Sequence, residues 1–244
     1  ENMHNNIFLM SNFEEKMTKK YFIEEEFKHV SINHYNYFKQ EKYKLRKKPK
    51  WHSKISWLLD NDEFDFSNCY VSGGALIHAI ILNNKNSSIE PSDIDLFCPS
   101  KNQIQNALHN ICNICDVFNK KYVMISTNFI IQMIVEDSFL IQLIRVDDEK
   151  FILNFDLDYV KCFWDGENIC GTRSCCLCLR YGQASLTNNI SLFKLRSKRI
   201  VKALNKGFNI EPIIDFVHFW NGFNMPKDYW WKTISDNLKR NYIK

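Results

Sequence analysis

The sequence predicts an α/β (α+β) protein: a mixed-sheet core with helical extensions at its N- and C-terminal ends. Three observations lead there. A short β-prone run, Cys69-Tyr70-Val71, ends at Ser72-Gly73-Gly74 and leads into an apolar stretch, Ala75 to Leu82, of helical length. Acidic and apolar residues then alternate through Asp93-Ile94-Asp95-Leu96-Phe97, the period of a strand. Several further β-rich segments follow before the pattern turns helical near Thr187. These shifts divide the chain into an N-terminal helical and basic extension (1–66), a core (67–183) and a C-terminal helical region (184–244).

The bulk properties suit a globular protein of this size. The chain has 244 residues, 45% hydrophobic and 25% charged, and its 19 Phe, 10 Tyr and 6 Trp supply bulk for a core. Only 7 Gly and 5 Pro occur, which argues against long flexible linkers. The formal charge of +4 is modest, so the placement of basic residues carries more information than the total. The nine cysteines do not follow a secreted disulfide framework, and no apolar run is long enough to span a bilayer. The expectation is a reduced, intracellular protein, cytoplasmic or nuclear rather than secreted.

Taken in order, residues 12–40 are charged and aromatic without Gly or Pro and suit one or two helices. Lys42 to Lys50 form a basic connector, and Trp51 to Leu59 a short helix or packing segment. Asp93 to Phe97 is a strand introduced by Pro91. Gln103 to Phe118 has helical spacing through Ile104, Leu108, Ile111, Ile114 and Val117. Tyr122–Ile125, Phe129–Val135 and Phe139–Val146 read as strands. Phe151 to Trp164 reads as another, ending at the Asp165-Gly166 turn, with Ile169-Cys170 pairing back across it. Thr187 is an expected N-cap and Gly207 an expected helix stop. The tail from Glu211 to Lys244 reads as aromatic and helical.

The chemistry is expected where these elements meet. Asp93 and Asp95 share one face of a strand, and two adjacent carboxylates repel unless a cation lies between them. Mg²⁺ (or Mn²⁺) suits oxygen ligands of this kind and keeps room for water and phosphate oxygens. Gly73 and Gly74, at a strand-to-helix turn, let backbone N–H groups approach a phosphate, with Ser72 beside them. Asn154-Phe155-Asp156-Leu157-Asp158-Tyr159 repeats the acidic alternation. A strand carrying Asp156 next to the first would bring a third carboxylate to the metals, with Asp158 an alternative or supporting ligand.

These positions resemble the signature of the nucleotidyltransferase superfamily, which includes DNA polymerase beta and poly(A) polymerases: Gly-Gly, then Asp-x-Asp, then a separate third Asp. The arrangement Ser72-Gly73-Gly74, Ser92 to Phe97, Phe155-Asp156-Leu157, Asp165-Gly166 and Lys206-Gly207-Phe208 is most similar to viral and eukaryotic members. The likeness covers residues 67–208, with a longer gap from Gly74 to Asp93 than is usual. It implies transfer of a nucleoside monophosphate from an NTP to an RNA 3′-hydroxyl or a protein hydroxyl. Asp93, Asp95 and Asp156 would be the metal-binding and catalytic acids. The alternative is a module that keeps the fold without turnover and binds nucleic acid or a partner protein.

Two basic stretches bear on partners. In the helical segment 194–206, Lys198, Lys202 and Lys206 recur at four-residue spacing with Arg199 adjoining. In a nucleotidyltransferase that flank would neutralise a triphosphate or an RNA backbone, with Lys198 and Lys202 as nucleotide-binding residues; otherwise it is a solvated face. Residues 42–54, with Tyr43 and Trp51 among the lysines, would track phosphates and stack a base, or serve as a flexible connector. His109, Cys112 and Cys115, and Cys175, Cys176 and Cys178, read as packed residues rather than zinc ligands. His78 and the tail residues Trp220, Trp230 and Trp231 read as packing.

Overall fold

A computed structural model describes residues 7–10, 42–81, 91, 93–127, 130–136, 139–185 and 197–211. Its centre is an eight-stranded mixed sheet: β1 (Ile7–Leu9), β2 (Tyr70–Ser72), β3 (Asp93–Cys98), β4 (Tyr122–Ser126), β5 (Ile130–Val135), β6 (Phe139–Arg145), β7 (Cys162–Trp164) and β8 (Ile169–Thr172). The spatial order is β1-β8-β7-β2-β3-β6-β5-β4. β3 and β6 run parallel, and the other neighbours in this sheet pair antiparallel. Helices are α1 (Ser53–Leu59), α2 (Gly74–Ile80), α3 (Lys101–Val117), α4 (Arg173–Tyr181) and α5 (Ser197–Asn205). A small parallel pair, β9 (Gln183–Ser185) and β10 (Asn209–Glu211), flanks α5 in sequence.

Strand alternation separates the two faces of the sheet. Val71, Ile94, Leu96, Ile141 and Leu143 point into the main core, where α2 and α3 cover them. α3 forms because Ile104, Ala107, Ile111, Ile114 and Cys115 recur at helical spacing, and the Ser100 side chain caps it by accepting from the Gln103 N–H at 3.2 Å. On the other face, Tyr70, Phe97, Phe151, Phe155 and Phe163 form an aromatic cluster, with the Phe97 and Phe151 rings stacked at 4.2 Å. Asp93 and Asp95 lie on this second face, in the same row as Phe97.

The basic connector is hydrogen-bonded to the ends of two helices. The Lys42 and Tyr43 N–H groups donate to the Arg180 carbonyl at the end of α4. Those of Arg46 and Lys50 donate to the Ile80 and Ala79 carbonyls at the end of α2. A helix C-terminus presents unpaired carbonyls and partial negative charge, so a basic strap satisfies both needs at two helices at once. Tyr43 and Trp51 are buried in the core.

The segment expected to run as one strand from Phe151 to Trp164 is instead two 3₁₀ turns, Glu149–Asn154 and Asp158–Val160, leading into β7. Leu157 and Tyr159 still enter the core, and turns rather than pleating carry them there. Helix α4 and edge strand β1 were not anticipated. The expected helices over 12–40, the Thr187 cap and the aromatic tail beyond 211 lie outside the described residues. All nine cysteines are free, and among the described residues no helix is long and apolar enough to cross a membrane.

Candidate active site

The site is built where β2 hands over to α2 beside β3. Gly73 sits at φ 77°, a conformation that disfavours any side chain, and a Cβ there would lie 2.6 Å from Asp95 Oδ2. A Cβ on Gly74 would lie 2.6 Å from Lys206 Nζ. The two glycines therefore leave room on one side for a carboxylate and on the other for an ammonium. Ser72, also expected at the phosphates, is fully buried, and its hydroxyl donates to the Cys162 carbonyl at 2.5 Å. Its side chain ties β2 to β7 and is not free for a ligand.

Helix α5 brings cations to the acids. Arg199 Nη1 donates to Asp156 Oδ1 at 2.6 Å, and Lys202 Nζ lies 3.8 Å from Asp93 Oδ2. Arg199, Lys202 and Lys206, spaced three and four apart, share one helical face. The side chain of Lys198 lies outside the described residues, as does Ser92. Arg199 and Lys206 thus join Lys202 as the observed cations, the first of them one position beyond Lys198.

Lys206-Gly207-Phe208 fixes where the last ammonium goes. Gly207 turns the chain at φ 83°, its N–H donating to the Leu204 carbonyl. Phe208 is then buried between Tyr43 (centroids 5.8 Å) and Tyr159 (4.5 Å, stacked). The Lys42 ammonium donates to the Gly207 carbonyl, so the connector and the Asp158–Val160 turn jointly anchor the end of α5.

Electrostatics follow from this packing. Burial, with Asp93 beside it, pushes the Asp95 carboxyl up to about 6, against the opposing pull of Lys202, Arg199 and Lys206. Burial pulls the Lys206 ammonium down to about 8, with Lys202 adding to the effect. His78 sits on α2 one turn beyond Gly74. Its Nδ1 is buried without a hydrogen-bond partner among the described residues, and its pKa is lowered by burial and then by His52 and Lys206.

Asp93 and Asp95 repel each other, and paired carboxylate oxygens are the donor type that hard divalent cations take. The third acid is placed differently. Asp156 lies in the bend between the two 3₁₀ turns, not on a strand beside β3, and its carboxylate is engaged by Arg199. Asp158 pairs with Lys161 at 2.9 Å. Among the described residues, no group of three or more His, Cys, Asp or Glu stands together as a metal-holding set. His109 is exposed and Cys115 is buried, so that helical trio does not converge. Cys175, Cys176 and Cys178 are buried in α4.

A Gly-Gly turn thus opens a helix, and paired acids follow on the adjoining central strand of a mixed α/β sheet. Residues 45–177 match the model of the Gabija anti-defense 2 family. The match covers more than half of the chain, which belongs to that family. No curated protein matches in sequence. Among solved structures, the complex structure of a CCA-adding enzyme with CTP is similar at 16% identity and a TM-score of 0.45, over 85% of this chain. The chain spans only 44% of that enzyme's length.

Proposed function

We propose that this chain is a metal-dependent nucleotidyltransferase acting on an NTP, with a protein hydroxyl as acceptor. The observation that carries the reading is the convergence of Asp93 and Asp95, the Gly73-Gly74 turn, and the Lys202 and Lys206 ammonium groups. Acids that hold a cation and a row of basic groups are what a Mg²⁺-bound triphosphate requires on its two sides.

In this reading Asp93 and Asp95 would hold Mg²⁺, which would supply charge neutralisation for the triphosphate. The Gly73-Gly74 turn admits the triphosphate close to the backbone, and Lys206 and Lys202 bind its outer phosphates. The acceptor oxygen bonds to the α-phosphorus in line with the leaving group. The bond from that phosphorus to the α–β bridging oxygen breaks, and its electron pair departs with pyrophosphate. The acceptor's proton passes to a carboxylate oxygen of the Asp93–Asp95 pair. Arg199 orients Asp156 at the edge of the site.

A protein acceptor is favoured over RNA because Tyr43 and Trp51, the aromatic residues of the basic connector, are buried. The family's name points to proteins that oppose Gabija defence, which makes a component of that system the acceptor to test first. The second reading, a module that binds without turnover, draws on the Arg199–Asp156 ion pair, which occupies one of the three acids.

The test is incubation with α-phosphate-labelled NTPs, Mg²⁺ or Mn²⁺, and either Gabija proteins or pooled RNA. Label on protein that disappears in Asp95→Asn supports the proposal. Label on RNA alone refutes the acceptor. No label, with nucleotide binding intact, favours the module.

A further inference from the structure

We propose that the site holds one divalent cation rather than two, because Gln142 occupies the strand position where a third carboxylate would complete a two-metal centre. This rests on the nucleotidyl-transfer reading and refines its cofactor. β6 is the parallel neighbour of β3, with Gln142 in register with Asp95. Residues in register on adjacent strands lie about 4.8 Å apart and point to the same face. The packing confirms that face. Ile141 and Leu143 enter the main core with Ile94 and Leu96, whereas Ile144 packs on the aromatic cluster with Phe97. Gln142 therefore stands beside Asp95 on the acid side of the sheet, with Gln132 of β5 in register beyond it. The row runs amide, amide, carboxylate, and ends at the spent hydroxyl of Ser72, the β2 partner of Asp95.

An amide oxygen is a neutral ligand and cannot offset the charge of a second cation. Asp156 cannot replace it, because its carboxylate is paired with Arg199. A single ion leaves the α5 cations to neutralise the outer phosphates, the part a second metal plays elsewhere.

The experiment counts Mn²⁺ held by the full chain with the four α,β-methylene NTPs, by equilibrium dialysis read out by electron paramagnetic resonance. The wild type is expected to hold a single Mn²⁺ in excess of the Asp95→Asn control, and Gln142→Glu a second, spin-coupled ion. Gln142→Asp serves if the longer acid disturbs folding. A wild type that holds two ions overturns the inference and leaves the transferase reading standing. A single ion in the wild type and in both folded variants overturns the role of Gln142. A wild type no different from Asp95→Asn overturns the transferase reading itself.

Discussion

Arg199 and Asp156 form a 2.6 Å ion pair that joins α5 to the bend before β7. The pair divides the three acids singled out by the sequence into two that share one face of β3 and one engaged by a guanidinium. The division has kinetic consequences. Asp93→Asn and Asp95→Asn should each reduce nucleotidyl transfer by about 10³-fold or more, the scale of losing a group that acts at the reacting centre. Asp156→Asn should reduce it by about tenfold, chiefly through KM. Steady-state kinetics on the three variants checks this, and equal losses would return Asp156 to the metal.

Asp95 makes the metal-free protein sensitive to pH. Its folded carboxyl titrates at about 6, above its ordinary value of 3.8. The stability it contributes is therefore complete below about 3.8 and is lost as pH rises through about 6. At pH 7.5 in EDTA, Asp95→Asn should be more stable than the wild type by on the order of 2 kcal/mol, an advantage that vanishes near pH 4. Chemical denaturation at the two pH values measures it.

Lys206 titrates in the opposite sense. Its ammonium is pulled down to about 8 from 10.5, so its contribution is complete above about 10.5 and is lost as pH falls through about 8. Lys206→Met should raise the melting temperature at pH 7, with the gain shrinking toward pH 10. The same variant should weaken NTP binding about tenfold or more through loss of a phosphate-facing charge. Thermal melts and nucleotide titration on one preparation test both effects.

The two glycines should respond differently to alanine. Gly73→Ala meets both a positive φ and the Asp95 carboxylate, and should cost about 1–3 kcal/mol. Gly74→Ala meets only the mobile end of Lys206, so it should leave stability within about 0.5 kcal/mol while lowering NTP affinity. Denaturation midpoints set beside binding constants separate the two.

What the sequence made legible was local. The alternation of Asp93, Ile94, Asp95 and Leu96 declares a strand because side-chain direction has period two, and the structure places the acids and the core residues on opposite faces as that requires. The same alternation around Asp156 misled, because Leu157 and Tyr159 reach the core through turns, and only tertiary packing reveals that. Lys198 and Arg199 are adjacent, and one residue rotates a helical side chain by about 100°, so spacing alone did not select the one that meets Asp156. The burial of Tyr43 and Trp51 depends on carbonyls at Arg180, Ala79 and Ile80, remote in the chain. Gln142 drew no notice because its meaning comes from the strand it registers with.

If Asp93 and Asp95, through a divalent cation, bind the same triphosphate that Lys202 and Lys206 grip, nucleotide affinity must depend on both the ion and the acids. Isothermal titration with NTPs, with and without Mg²⁺, measures that dependence. Binding is expected to require Mg²⁺ in the wild type, to be lost in Asp95→Asn, and to weaken in Lys202→Ala. Nucleotide binding of equal strength without Mg²⁺ and in Asp95→Asn would show that the acids and an ion take no part in holding the triphosphate.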